Sequence, residues 1–126
     1  MTPGLILFAH GARDPRWAAP FEAVAARVRA QQPGLAVHLA YLELMTPDLP
    51  TAAAELLASG CDAITVLPLF LGAGGHVRRD LPAIVDALRE AHPQVRWSLQ
   101  PPVGELETVI AAMAQAALHA VDAAAR

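Results

Sequence analysis

Apolar residues gather in four short continuous runs, and each is followed by a stretch in which they recur every three or four positions. The first run, Gly4 to Ala9, has the length and unbroken apolar character of a strand buried on both faces. Asp14-Pro15 then supplies a helix cap with a proline in the first turn. Trp17, Phe21, Val24 and Val28 follow at helical spacing, until Gln32-Pro33-Gly34 ends the element. Ala36 to Leu42 reads as the second strand. Thr46-Pro47 repeats the cap-plus-proline signal ahead of a helix that turns Leu49, Ala53, Leu56 and Leu57 inward and stops at Ser59-Gly60. Ala63 to Phe70 reads as the third strand. Beyond a glycine-rich loop, Asp80 is the predicted cap of a helix with Leu81, Ile84, Val85 and Leu88 on its buried side, closing at His92-Pro93. Val95 to Leu99 makes the fourth strand. The turn Gln100-Pro101-Pro102-Val103-Gly104 leads into a last helix carrying Leu106, Val109, Ile110, Met113, Ala117 and Val121.

Strands that alternate with helices through short connections imply right-handed crossovers and a parallel sheet covered on both faces. The expected class is a three-layer α/β/α sandwich with a four-stranded parallel sheet, and 126 residues fit one domain spanning 1–126. In such a sheet, the loops leaving the carboxyl ends of the strands converge on one edge. His10, Glu43, His76 and the Pro101-Pro102 turn all follow strands and are expected along that rim. A neutral imidazole and a carboxylate are good ligands for divalent first-row metals, so two histidines on one rim point to a metal site. A histidine at a strand end can also be a hydrogen-bonded structural group, and Glu43 a solvated loop carboxylate. His38, inside a strand, His92, at a helix end, and His119, in the last helix, read as structural or solvent-facing.

Composition narrows the classes. Apolar residues make up 55% of the chain and the mean hydropathy is +0.37, yet the longest runs fall well short of the ~20 residues that cross a bilayer. No basic segment followed by an apolar one and a cleavage site is visible at the amino terminus, so a cytoplasmic protein with no membrane partner is expected. A net charge of −3 argues against a nucleic-acid partner, which needs a basic face to neutralise phosphates. Cys61, the single cysteine, leaves no internal disulfide or thiolate cluster and reads as a packing residue. All nine basic residues are arginine, and Arg13, Arg16, Arg78 and Arg79 lie within six residues of His10 or His76. Arginine's planar fork suits carboxylate or phosphate, so this clustering points to an anionic ligand, or else to solvated helix starts. The loop Gly72-Ala73-Gly74-Gly75 has the composition of a phosphate cradle but lacks the Gly-Lys-Ser/Thr ending of a P-loop. It could equally clear space for a flat, bulky ligand.

His10-Gly11-Ala12-Arg13-Asp14-Pro15 resembles the opening histidine–glycine–serine–arginine–aspartate motif of the sirohydrochlorin chelatases of the CbiX/SirB type. Tyr41-Leu42-Glu43-Leu44 resembles the second block of that family. The run from Pro68 to Pro82, with its proline inside the strand, glycine loop, histidine and Asp-x-Pro, resembles the third. Ala12 stands where the motif has serine, which removes any hydroxyl contact there. The larger class II chelatases carry two such α/β halves, whereas this chain is similar to the short form, which pairs with itself as a homodimer to rebuild a two-lobed cleft.

The resemblance implies insertion of a divalent metal into the tetrapyrrole sirohydrochlorin: Co²⁺ on the way to cobalamin, or Fe²⁺ for siroheme, with Ni²⁺ a further candidate. No organic cofactor is implied. His10 and His76 become the implied metal ligands and proton acceptors, because two pyrrole protons must leave and imidazole, with an unperturbed pKa of about 6.5, can take them. Glu43 is a third catalytic candidate. Arg13, Arg16, Gly72, Gly74, Gly75, Arg78 and Arg79 would line the crevice for a flat ring bearing carboxylates. Two rivals differ in class. A histidine phosphatase-like enzyme would place arginine directly before the histidine, where this chain has Ala9, and a non-catalytic metal carrier would bind the ion without inserting it.

Overall fold

The computed structural model describes residues 1–72 and 74–126; Ala73 of the glycine-rich loop lies outside the described residues. The strands are β1 (Pro3–Ala9), β2 (Ala36–Tyr41), β3 (Ala63–Pro68) and β4 (Arg96–Leu99), and the helices are α1 (Ala19–Gln31), α2 (Leu49–Ala58), α3 (Gly75–Ala91) and α4 (Glu107–Ala124). Short 3-10 turns at Pro15–Ala18 and Val103–Glu105 precede α1 and α4. All strand pairs are parallel, in the order β2-β1-β3-β4. The expected α/β fold and four-stranded parallel sheet are therefore present.

The period-2 alternation of strand side chains separates two cores. Ile6 and Phe8 of β1, Ile64 and Val66 of β3 and Trp97 of β4 pack against Ala52, Ala53 and Leu56 of α2 and Leu81 and Val85 of α3. On the opposite face Leu7 and Val37 pack against Ala25 of α1, with Leu5, Val28, Leu39, Leu67 and Leu69 half-buried around them. Cys61 is buried beside Gly4 and its thiol donates to the Pro3 carbonyl; burial pushes the thiol's pKa up, in keeping with a packing residue.

Three expectations are corrected. Asp14-Pro15 opens a 3-10 turn, with the Asp14 carboxylate accepting from the Arg16 N–H, and α1 itself begins at Ala19. Thr46-Pro47 starts no helix. The Pro47 carbonyl accepts from the Tyr41 N–H at 2.9 Å and holds that residue in the loop, while Asp48 caps α2 through the Thr51 N–H, with Pro50 in the first turn. Asp80 is no cap, because α3 begins five residues sooner, after Gly74, and both Asp80 and Pro82 lie within it. Both faces of the sheet carry helices, α2 and α3 on one and α1 on the other, and α4 forms as expected but buries none of its residues.

The Asp48 cap is testable. Its hydrogen bonds from Thr51 hold the carboxyl below the ordinary aspartate range, so its contribution is full above the unfolded pKa of about 3.9 and is lost as pH falls through the lower folded value. Asp48→Ala should lower unfolding free energy by about 1 kcal/mol at pH 7. The gap should close in urea titrations repeated at progressively lower pH below 4.

Candidate functional site

The strand order places a switch point between β1 and β3: the chain leaves β1 for β2 on one side and leaves β3 for β4 on the other, opening a crevice at their carboxyl ends. His10 directly follows β1, and the glycine loop and His76 follow β3. The two strands run in register to Phe8↔Pro68, and Leu69 donates its N–H to the Phe8 carbonyl at 2.7 Å, which carries the pairing into the loop. Phe70 then sits edge-on to both Phe8 and His10, with ring centroids 5.9 and 6.5 Å apart.

Glu43 reaches the same rim from β2. Backbone bonds from Leu42 N–H to the Ala9 carbonyl and from Glu43 N–H to the His10 carbonyl extend the β1–β2 ladder beyond the strands. This close approach requires glycine at position 11, which has φ +96° and no Cβ to strike the Glu43 carbonyl. The result is a hydrogen bond between His10 Nε2 and Glu43 Oε1 at 3.2 Å, with both side chains about half exposed. With Glu43 ionised, Nε2 is the donor and Nδ1 carries the free lone pair.

The other sequence candidates fall around this pair. His76 is the second residue of α3 and is exposed; Gly74 caps that helix without a side-chain hydrogen bond. Arg78 pairs with Glu105 at 3.7 Å, Arg79 donates to the Gly75 carbonyl, and Arg16 is held by Asp14. Arg13, Gly72, Gly74 and Gly75 are exposed. Among the described residues no three His, Cys, Asp or Glu side chains stand close enough to hold a metal ion. The structure thus joins His10 to Glu43 and adds no third ligand among the described residues.

Three residues at the rim escaped the sequence reading. Phe70 supports the His10 ring, although its position at the end of a predicted strand marked it only as core. Leu44 and Leu71 are 58% and 69% exposed, adjacent in sequence to Glu43 and Phe70. Leu44 has φ +64°, a conformation that costs a non-glycine residue roughly 1 kcal/mol or more. The signal available was an apolar residue outside any periodic face. A cleft of about 220 Å³ beside Phe70, walled by Val77, Leu81, Leu99 and Pro102, contains neither His10 nor His76 and is smaller than the ~300 Å³ at which small-molecule pockets begin. The histidine–glutamate pair stands on an open rim.

The fold is thus an α/β protein with an open parallel sheet whose candidate functional groups, a histidine–carboxylate pair among them, gather at the strand ends. The CbiX family model matches residues 4–120, and the chain belongs to the CbiX family. It is 30% identical over 101 residues to a sirohydrochlorin cobaltochelatase of Sulfolobus acidocaldarius, covering 80% of this chain and 78% of that protein. A sirohydrochlorin cobaltochelatase of Saccharolobus solfataricus is 35% identical over 82 residues, which span 65% of this chain and 62% of the relative. Among solved structures, a CbiX protein assigned to cobalamin (vitamin B12) biosynthesis from Marinobacter aquaeolei superposes with a TM-score of 0.82 at 33% identity, covering 95% and 98% of the two chains. The sirohydrochlorin chelatase SirB of Bacillus subtilis in complex with cobalt gives 0.77 at 25% identity; the match covers 89% of this chain and 48% of SirB. Among the described residues no helix is long and apolar enough to cross a membrane.

Gly11→Ala should disrupt the rim without touching a candidate ligand. The new methyl meets the Glu43 carbonyl in a left-handed backbone conformation, so the loss should exceed about 1 kcal/mol in denaturant titrations. The ring-nitrogen NMR signals of His10 should shift as its bond to Glu43 opens.

Proposed function

We propose that this chain inserts Co²⁺ into sirohydrochlorin, serving cobalamin synthesis, with release of two protons. The observation that carries this reading is the His10–Glu43 pair at the switch point of a chain belonging to the CbiX family. Its support includes the cobaltochelatase relatives and the SirB–cobalt complex. Fe²⁺, leading to siroheme, is the second metal this chemistry accommodates, and a SirB structure with Fe³⁺ favours testing it beside cobalt. Ni²⁺ enters as a control of ligand preference.

Insertion exchanges the ion's water and protein ligands for four ring nitrogens, two of which each lose a proton. In this reading His10 holds the incoming metal or accepts a proton through its free lone pair, and Glu43 orients the ring. His76, from the β3 side of the crevice, is the second imidazole in both roles. The exposed Leu44 and Leu71 offer apolar contact to the flat ring. Arg13, Arg16, Arg78, Arg79 and the backbone of Gly72, Gly74 and Gly75, including the uncapped N–H groups at the start of α3, face its carboxylates.

Self-pairing belongs to the same proposal. A half-exposed pair on an open rim covers one side of a macrocycle, and this chain spans about half of SirB, so a second copy supplies the opposing lobe. A cytoplasmic setting completes the reading.

The test is the absorbance change on metallation when sirohydrochlorin is mixed with Co²⁺, Fe²⁺ or Ni²⁺. His10→Ala and His76→Ala should each lower the rate over buffer by ~10²- to 10⁴-fold, and Glu43→Gln by ~10- to 100-fold, with circular dichroism unchanged. Equal rates in wild type and the histidine variants would remove the assignment. Cobalt binding without faster metallation would favour the carrier.

A further inference from the structure

The turn that leaves β4 is fastened to the rim at several points. Gln100 donates its N–H to the Val66 carbonyl at 2.9 Å, and Gly104 donates its N–H to the Phe70 carbonyl at 2.9 Å. Gly104 also presses so closely on the Leu71 backbone that no Cβ could fit. One residue further on, Glu105 meets Arg78 of α3 at 3.7 Å. Residues 100–105 are thereby joined to the segment leaving β3 and to the first turn of α3. Together these pieces enclose the cleft of about 220 Å³ beside Phe70.

The walls of that cleft and its mouth differ in character. Phe70, Val77, Leu81 and Leu99 are buried or half-buried and belong to the larger core, and Pro102 closes the remaining side. Arg78 and Glu105 line it too, but their side chains are 63% and 44% exposed, so the charged groups stand at the opening. Helix α3, whose first turn forms one wall, has no acidic residue in that turn and no side-chain cap. Its positive end is left to favour an anion there, while Arg78 offsets Glu105. The volume is below that of a pocket for a whole ligand. It suits one substituent, with apolar carbons inside and a negative charge at the opening.

We propose that this cleft seats one carboxylate-bearing arm of the tetrapyrrole, its carbons on Phe70 and Leu99 and its carboxylate on Arg78, with Glu105 steadying the guanidinium. The inference rests on the function proposed above and makes the turn after β4 part of substrate recognition. Phe70 links the two places, since its ring meets His10 edge-on at 6.5 Å and also walls the cleft. A flat ring with its nitrogens at His10 then passes Phe70, and an arm at its edge reaches the opening. A guanidinium carries five donors, so it can meet a second carboxylate while the first holds it. Held by one arm, the ring has a fixed orientation over the histidine, so the cleft governs binding more than the chemical step.

Binding of metal-free sirohydrochlorin, followed by its absorbance, reads the cleft apart from metal insertion. Pro102→Trp, which fills the cleft from the β4 side, should raise the dissociation constant at least ten-fold and leave Co²⁺ binding and circular dichroism unchanged. Arg78→Gln should raise it about ten-fold, as loss of one charge-assisted hydrogen bond predicts. With the fully methyl-esterified tetrapyrrole, Arg78→Gln should bind within two-fold of wild type, because no carboxylate remains for the guanidinium to meet. Wild-type affinity in a folded Pro102→Trp chain, or an Arg78→Gln loss that persists with the ester, would overturn the subsite. Should Pro102→Trp alter the circular dichroism, the ester comparison decides. A wild type that binds the tetrapyrrole and shows these differences without speeding metallation would overturn insertion and leave the subsite standing. A wild type that binds no tetrapyrrole would overturn both.

Discussion

Everything at the rim depends on the parallel pairing of β1 with β3. Because these neighbours are separated in sequence by a whole crossover, the chain leaves them in opposite directions, and the space between their exits stays open. The ladder runs past the strand ends, through Leu69 to Phe8 on one side and Leu42 to Ala9 and Glu43 to His10 on the other. Loops far apart in sequence are thereby tied to the sheet where they leave it. A loop-borne histidine would otherwise lose much of its value as a ligand, because the entropy of ordering it would oppose each capture of an ion.

The chemistry of a metal-transfer site favours such a half-built arrangement. A closed cage of three or four ligands holds a divalent ion tightly, and an enzyme that must hand the ion on gains nothing from that. In the proposed reading, one imidazole braced by one carboxylate, both half exposed, would give a weak and accessible site that leaves the ion open to a macrocycle. The exposed Leu44, kept in a strained conformation at φ +64° beside Glu43, fits the same picture: backbone strain and exposed apolar surface are both costly, and they coincide where a flat ring would lie.

Much of this was legible in the sequence because buried parallel strands are unbroken apolar runs; each was placed to within two residues of its observed ends. The misplaced helix starts have specific causes. Two cap-plus-proline signals stand in tandem before α2, and the second prevails because the Pro47 carbonyl is already engaged by Tyr41 while Asp48 captures the Thr51 N–H. Helix α3 is capped by Gly74, whose lack of a side chain leaves no signal, and Pro82 reads as a first-turn proline although it lies in the helix interior. There it forgoes a hydrogen bond to Arg78, a penalty of up to ~3 kcal/mol, set against the burial of Leu81 and Val85 on either side. The meeting of His10 and Glu43 was expected only as a shared rim. Their contact depends on Gly11 and the Glu43 carbonyl, a backbone fit that side-chain chemistry does not encode.

The last helix carries the reasoning furthest from the sequence. Periodicity established that α4 is amphipathic and could not say which sheet its stripe covers. Alanine supplies eight of its 18 residues, and alanine is the residue that best sustains a helix by intrinsic propensity. Such a helix can hold together without packing on its own chain, where a β-branched sequence of that length would fray. The Gly104 anchor commits the chain to leave towards α3 before α4 begins, so folding back over β3 would sacrifice that hydrogen bond and the close contact with Leu71. A self-sustaining helix with an anchored exit and no buried residue is costly when the chain stands alone. In the self-paired reading proposed above, a second copy would relieve that cost.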